Sequence, residues 1–246
     1  MTRKKLILLK LVLIILFALL INRFIRPKQD QQLSQTPKIL TSPLNQPTQA
    51  ILPRTHLIKT LFVPQAPEKN WDQPWQDTCE EAALLTTVYY QNDQSPKLSQ
   101  IKQDLLDIIN YENSQAWPKD INLSQVSQIA ADYFNLKSNI LVDPSLDDIK
   151  KYISQDQPVM LTANGKTLFR ENKYFKDGGP FYHALTILGY NDTKKQFTVH
   201  DVGTQHGAYF VYSYDTLMES IHDLPKSGDK HDINDGRKAI LIISRV

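Results

Sequence analysis

The sequence predicts an α+β domain in which a group of helices precedes an antiparallel β-sheet. Residues 78–154 carry apolar side chains at helical spacing, whereas residues 158–244 consist mostly of short apolar runs separated by turn signals. The segment NDTKK joins two of these runs as a hairpin. Helices first and antiparallel strands second is the order typical of the α+β class.

The first helix is predicted to begin at Thr78 and to end near Gln91. Its apolar positions recur at helical spacing and are Ala82, Ala83, Leu85, Val88 and Tyr89. Asp77 or Thr78 would serve as the N-cap, with Glu80 and Glu81 in the first turn. Further amphipathic helices are predicted at residues 98–110, 122–134 and 146–154.

The second half of the chain is predicted to form the sheet. Its strands are expected at residues 158–163, 182–190, 196–201, 208–213 and 238–244, with a short helix over 214–221. An additional edge strand is predicted at residues 61–64, where the apolar run LFVP ends at a proline.

The first residues predict a membrane anchor. Three basic residues precede an apolar run, Leu6–Ile21, that is interrupted only by Lys10. A spanning helix needs about 20 apolar residues, and the run reaches that length at Ile25 if Lys10 and Arg23 extend to the two interfaces. No small-residue cleavage site follows, so residues 1–26 are predicted as an uncleaved signal anchor; a cleaved signal peptide is the alternative. Either would place the body outside the cytoplasm, on the cell membrane or secreted.

Residues 27–60 are predicted to be a linker, and residues 61–246 a single folded domain. The linker is rich in Gln, Pro, Ser and Thr and has no sustained hydrophobic period. The net charge of +2, without a basic stripe, argues against nucleic acid as a partner.

Cys79 is the only cysteine, so it cannot form an internal disulfide. Two interpretations of its place at the start of a helix compete. It is either a small apolar core residue or a nucleophile whose thiol pKa is lowered by the helix N-terminus.

His183 and Asp201 are the candidate partners of a nucleophilic thiol. His183 starts one strand of the predicted hairpin and Asp201 ends the other, each nine residues from Asp192 in the turn. The antiparallel pairing would set the two side by side at the open end of the hairpin. Strand alternation would turn His200 to the opposite face.

The candidate oxyanion donor is Gln73, six residues before Cys79, acting together with the backbone N–H of the cysteine. Gln76, three residues before the cysteine, is the rival candidate.

These motifs carry a resemblance to a known family. The segments QPWQDTCE, HALTILGY and HDVGT resemble the papain-like cysteine peptidases, in particular the bacteriocin-leader, or double-glycine, peptidases. That group has the order Gln, Cys, His, Asp, with the glutamine six residues before the cysteine. The resemblance covers residues 61–246. It implies a papain-like fold, with the nucleophile helix packed on the C-terminal antiparallel sheet. Two positions depart from the family pattern: Glu80 stands where many members have glycine, and Val202 where proline is usual.

Each candidate also has a structural interpretation without catalysis. Cys79 and His183 could be core residues, Asp201 a turn residue, and Gln73 a surface residue. The chain also contains three adjacent His-Asp pairs, at 200–201, 222–223 and 231–232. Their spacing gives no shared helix face, so no metal site is predicted.

The sequence therefore predicts a membrane-anchored, extracytoplasmic cysteine peptidase that acts on a peptide or protein through a thioester and needs no cofactor. Cys79 would be the nucleophile, His183 the base, Asp201 the orienting group and Gln73 the oxyanion donor. The alternatives are an acyltransferase or cell-wall amidase that uses the same residues, and an inactive protein that binds a peptide in the cleft.

Overall fold

A computed structural model describes residues 52–246 and confirms the α+β class. The predicted anchor, residues 1–26, and the linker as far as residue 51 lie outside the described residues. Within residues 52–246, no helix is both long enough and apolar enough to cross a membrane.

Six α-helices occur in the described residues. They are α1 (Cys79–Gln91), α2 (Leu98–Ser114), α3 (Leu123–Asp132), α4 (Leu146–Ser154), α5 (Gly165–Leu168) and α6 (Tyr214–Ser220). Short 3₁₀ turns span Pro67–Lys69, Trp75–Asp77 and Lys230–Asp235. Each of the five helices predicted from the sequence is present, with ends that differ by a few residues.

Seven strands form one antiparallel sheet. They are β1 (Thr55–Leu57), β2 (Lys137–Val142), β3 (Val159–Asn164), β4 (Tyr182–Asn191), β5 (Gln196–His200), β6 (Phe210–Ser213) and β7 (Ala239–Ser244). The strand order is β2-β7-β3-β4-β5-β6, and β1 pairs with the end of β4.

Both faces of the sheet are covered by helices. One face packs against α1, α2 and α3 through residues such as Met160 and Leu241. The other packs against α4 and α6 through Leu161 and Ile240. Because the central strands are buried on both faces, they are continuous apolar runs in the sequence. Helix α1 is buried along most of its length, from Cys79 to Tyr89, as predicted for a helix that packs on the sheet.

The register of the β4–β5 hairpin differs in detail from the one predicted. The turn occupies residues 192–195, so it is not centred on Asp192. A bulge between residues 187 and 189 then shifts the pairing by one residue. Since a one-residue shift exchanges the faces of a strand, the bulge returns Asp201 to the face that carries His183.

Two segments near the start of the domain depart from the prediction. Residues 61–64 do not form a strand. The strand is β1 instead, which lies within the predicted linker and pairs with Tyr190 and its neighbours. The folded body thus begins before residue 61. Strand β2 was not predicted, because it is a partly exposed edge strand whose apolar pattern is short.

Candidate active site

The loop before α1 fixes the position of Cys79. Gln65 Nε2 donates hydrogen bonds to the carbonyl oxygens of Trp75 and Gln76, both at 3.0 Å. Thr78 Oγ1 donates to the Gln65 carbonyl oxygen at 2.9 Å, so the predicted N-cap makes no side-chain capping bond. Cys79 is the first residue of α1. A backbone N–H in the first turn has no partner within its helix, and among residues 52–246 no backbone carbonyl outside the helix accepts a hydrogen bond from that of Cys79.

Cys79 and His183 line the same cavity, whose volume is about 710 Å³. Its aromatic wall consists of Trp71, Tyr174, Phe175, Phe181 and Tyr182. Its charged lining consists of Asp77, Asp120, Lys176, Asp177 and Lys230. The cavity is large enough for several residues of a peptide and offers both apolar and charged contacts.

His183 and Asp201 form a buried pair. His183 Nε2 lies 2.9 Å from Asp201 Oδ1, and the two residues are 2% and 0% exposed. An N–H on Nε2 donates to the carboxylate and leaves Nδ1 as the acceptor nitrogen. Among the hydrogen bonds of residues 52–246, none engages this Nδ1. The ring is therefore oriented by Asp201, with its other nitrogen available to accept a proton.

The carboxylate of Asp201 is held by three further donors. Tyr212 Oη donates to Oδ2 at 2.5 Å, Asn172 Nδ2 donates to Oδ2 at 2.8 Å, and the Gly203 backbone N–H donates to Oδ1 at 3.3 Å. Burial opposes ionisation, but the attraction of His183 when it is protonated and the hydrogen bonds from His183, Tyr212 and Asn172 outweigh it, so the pKa of Asp201 is lowered. Asp201 is thus kept as an anion.

Glycine at position 203 is required by the close approach of the imidazole. A Cβ on Gly203 would lie 2.5 Å from His183 Cε1, closer than any side chain allows. Phe175 also packs against the imidazole edge-on, with its centroid 5.2 Å from that of His183. These contacts and the Asp201 hydrogen bond limit the orientations that the imidazole can adopt.

The thiol of Cys79 does not have the lowered pKa expected from its position. Burial raises its pKa well above the ordinary value, and the carboxylates of Glu80, Glu81 and Asp120 raise it further. The thiol donates a hydrogen bond to Glu80 Oε2 at 2.8 Å. Burial and acidic neighbours therefore raise the pKa of the Cys79 thiol, although it lies at the start of a helix.

The structure does not place Gln73 in the cavity with Cys79. Its side-chain amide donates to Asp77 Oδ2 and accepts from Lys119 Nζ, both at 2.9 Å, and it lines a separate cavity of about 180 Å³. Gln76, the rival candidate, lines the larger cavity with Cys79. A spacing of six residues does not determine where a loop side chain points, and here Gln73 precedes the short 3₁₀ turn before α1 whereas Gln76 lies within it.

His200 is held in place by hydrogen bonds to the backbone. Its Nε2 lies 3.2 Å from the Thr60 carbonyl oxygen, and its Nδ1 accepts from the Tyr209 backbone N–H at 3.1 Å. Burial lowers the pKa of His200 to about 4. Both ring nitrogens are thus engaged by the backbone, and His200 does not line the cavity with Cys79.

Three residues of this site were not identified from the sequence. Gln65 holds the loop before Cys79, and Asn172 and Tyr212 hold Asp201. Asn172 lies between α5 and β4, where no periodic pattern exists to place it. Tyr212 lies in β6, and its role depends on the pairing of β6 with β5. Among residues 52–246, no group of three or more His, Cys, Asp or Glu side chains is arranged to hold a metal ion.

Comparison with known proteins identifies related sequences and structures. The sequence model of the Peptidase_C39 like family matches residues 60–222. A C39-like peptidase from Bacillus anthracis is 12% identical with a TM-score of 0.49, over 78% of this chain and 98% of that chain. Xylellain, a cysteine protease from Xylella fastidiosa, is 13% identical with a TM-score of 0.44, over 80% of this chain and 88% of that chain. A search of curated proteins finds no match.

Proposed function

Because the chain belongs to the Peptidase_C39 like family, we propose that it is a cysteine peptidase that uses Cys79, His183 and Asp201 as a catalytic triad. One observation supports the assignment of these residues: His183, which is paired with the buried Asp201, lines the same cavity as the lone cysteine at the start of a helix. A thiol nucleophile needs a base, and the base needs an orienting group, in this arrangement.

In the first half of the reaction, Cys79 attacks the carbonyl carbon of the scissile peptide bond. His183 Nδ1 takes the proton from sulfur, and the imidazolium is stabilised by the Asp201 carboxylate. Collapse of the tetrahedral intermediate breaks the C–N bond, and His183 gives its proton to the departing amine. The product of this half is a thioester between the acyl fragment and Cys79 Sγ.

The oxyanion of the tetrahedral intermediate requires hydrogen-bond donors near Sγ. We assign one donor to the Cys79 backbone N–H and the other to the side-chain amide of Gln76. Gln65 also lines the cavity, but its Nε2 already donates to two carbonyl oxygens. Gln73, the candidate from sequence spacing, is held by Asp77 and Lys119. The location of Gln76 in the cavity therefore favours it as the side-chain donor.

In the second half, water attacks the thioester. His183 Nδ1 accepts a proton from the water, and the regenerated thiol leaves from the second tetrahedral intermediate. A balanced cycle consumes one water and yields a carboxylic acid and an amine, and it requires no cofactor.

We further propose that residues 1–26 anchor the peptidase in the cell membrane with the catalytic domain outside the cytoplasm. The basic residues and apolar run of this segment support the proposal. Cell fractionation combined with sequencing of the mature N-terminus tests it. Recovery of a soluble protein that begins after residue 26 would contradict the anchor.

The peptidase activity is tested by digestion of a peptide library with the full-length chain in detergent. The matched control is Cys79→Ala, prepared in the same way. We expect cleavage by the wild type and none by the variant, with products identified by mass spectrometry. If an added amine is incorporated into the products in place of water, the protein is a transferase. If neither reaction occurs while Cys79 is alkylated normally, the peptidase proposal is wrong.

A further inference from the structure

Glu80 has no role in the reaction just described, although it contacts the proposed nucleophile. Its side chain is buried, with 1% of the residue exposed. Oε2 accepts the Cys79 S–H at 2.8 Å, and Oε1 accepts the Ile121 backbone N–H at 3.0 Å. The Ile121 carbonyl oxygen accepts from Tyr182 Oη at 2.6 Å. The carboxylate is thus fixed at both oxygens, one of them by the thiol itself.

This contact has two consequences for the thiol. An S–H that donates to Glu80 is not directed at His183 Nδ1, and no hydrogen bond joins Sγ to His183 among residues 52–246. Burial raises the pKa of Glu80 to about 8, so above that pH a thiolate formed beside Glu80 would also be repelled by its negative charge. The contact therefore favours the protonated, unreactive form of the thiol.

The other charged groups near Cys79 do not offset this effect. Burial raises the pKa of Cys79, and the carboxylates of Glu80, Glu81 and Asp120 raise it further when they are ionised, although burial also raises the pKa of Glu81 itself. Lys230 is the cation that lies close enough to interact with Cys79, but it pairs with Asp120 at 3.0 Å. The same cavity is also lined by further titratable groups, which are Asp77, Tyr174, Lys176, Asp177, Tyr182, His183 and His206. Of these neighbours, only Glu80 accepts a hydrogen bond from the thiol.

We propose that Glu80 is a positioning residue that holds the Cys79 thiol in a protonated resting state. The inference rests on the proposed peptidase function. Reaction begins when the S–H exchanges its hydrogen bond to Glu80 for one to His183 Nδ1. The proton then moves from sulfur to that nitrogen and forms a thiolate–imidazolium pair without any change in net charge. The resting enzyme is consequently slow to react with electrophiles that do not resemble the substrate.

The variant Glu80→Gln removes the negative charge of this side chain but keeps its size and shape. A glutamine can still accept from the Ile121 N–H through Oε1, which turns its amide nitrogen toward Cys79 Sγ. That nitrogen is a donor and would stabilise the thiolate, whereas the native carboxylate repels it. Asp120→Asn is the matched control, because it also removes one negative charge near the thiol but no hydrogen bond to it.

The test is the rate at which iodoacetamide alkylates Cys79 in the full-length chain, measured from pH 5 to 10, with Cys79→Ala as the blank. We expect Glu80→Gln to move the midpoint of the alkylation profile down by about one pH unit or more, and so to react about tenfold faster at pH 9, where the native Glu80 carboxyl is ionised. Asp120→Asn should produce a smaller shift. An unchanged or raised midpoint in Glu80→Gln, or an equal shift in Asp120→Asn, overturns the proposal.

A second measurement needs no variant at position 80. Because Cys79 is the only cysteine, the infrared S–H stretch of the wild type comes from one thiol and disappears in Cys79→Ala. We expect a band at pH 7 that is shifted to low frequency by a strong acceptor. A missing band at pH 7, or one at the frequency of a free thiol, contradicts the proposal. Neither measurement uses a substrate, so failure of peptide digestion is detected separately.

Discussion

The hydrogen bond from Tyr212 to Asp201 provides a direct test of how the proposed orienting group is held. Tyr212→Phe removes the hydroxyl, which donates to Asp201 Oδ2 at 2.5 Å, and leaves the ring in place. Both residues are fully buried. Loss of a hydrogen bond to a charged group costs about 1.5–3 kcal/mol, and the burial of both residues keeps bulk solvent from replacing the hydroxyl. We therefore expect the free energy of unfolding at pH 7 to fall by about that amount.

The pH dependence of this loss has a definite sign. The pKa of Asp201 is lowered in the folded protein, so its hydrogen bonds stabilise the fold above the unfolded pKa, and the contribution is lost as pH falls through the folded pKa. Tyr212→Phe should raise the folded pKa of Asp201. The difference between variant and wild type should therefore be full at pH 7 and smaller near pH 3.

Urea unfolding followed by circular dichroism measures both effects. Tyr214→Phe is the matched control, because Tyr214 Oη donates to Asp192 at 2.8 Å. The side chain of Asp192 is 31% exposed and also pairs with Lys150, so the loss should be below about 1 kcal/mol. Equal losses in the two variants, or a loss in Tyr212→Phe below about 0.5 kcal/mol, would refute the reasoning.

Three further predictions concern the oxyanion donor, a buried carboxyl group and the domain boundary. Gln76→Ala should lower kcat by about 10²–10³ with little change in KM, whereas Gln73→Ala should change kcat less than tenfold; the reverse result would favour the spacing-based assignment. Burial raises the pKa of Glu112 to about 7, so its stabilising contribution is lost as pH rises from the unfolded pKa through 7. Glu112→Gln should therefore be more stable than the wild type by about 1–3 kcal/mol at pH 8 but not at pH 4 in urea unfolding, and equal stability at pH 8 would contradict this. Limited proteolysis should cut within residues 27–51 and should spare the chain from Pro53 onward, because the Pro53 carbonyl oxygen accepts a hydrogen bond from Tyr190 Oη. If residues 27–51 resist the protease as well as the folded body does, the prediction of a linker is wrong.

The sequence predicted most of the elements because their signals are local. Helix α4 was predicted with the observed ends, since its polar cap at Ser145 precedes a periodic apolar pattern. The apolar runs of β3, β4 and β7 identified the buried centre of the sheet. Strands β1 and β2 have weaker patterns, because β1 has only three residues and no residue of either strand is fully buried.

The candidate site was predicted less completely, because its geometry depends on contacts that are distant in sequence. The spacing of the hairpin correctly predicted that His183 and Asp201 lie together. The predicted register itself was wrong in two respects, the position of the turn and the missing bulge, and these two errors compensate for each other. The orientation of the Gln73 side chain depends on its hydrogen bond with Lys119, which is 46 residues away in the sequence. The thiol pKa depends on burial beneath several elements. Spacing along the chain contains no information about these contacts.

The central claim is that His183, and not the neighbouring strand histidine His200, is the base for Cys79. The most direct test compares kcat/KM for His183→Gln and His200→Gln on one peptide from the library digest, with Cys79→Ala as the zero. We expect His183→Gln to lose at least about 10²–10⁴-fold, because the thiol then lacks its proton acceptor. The kcat/KM of His200→Gln should stay within about tenfold of the wild type, because both ring nitrogens of His200 are hydrogen-bonded to backbone groups. An inactive His200→Gln beside an active His183→Gln, with both variants folded, would contradict the proposed triad.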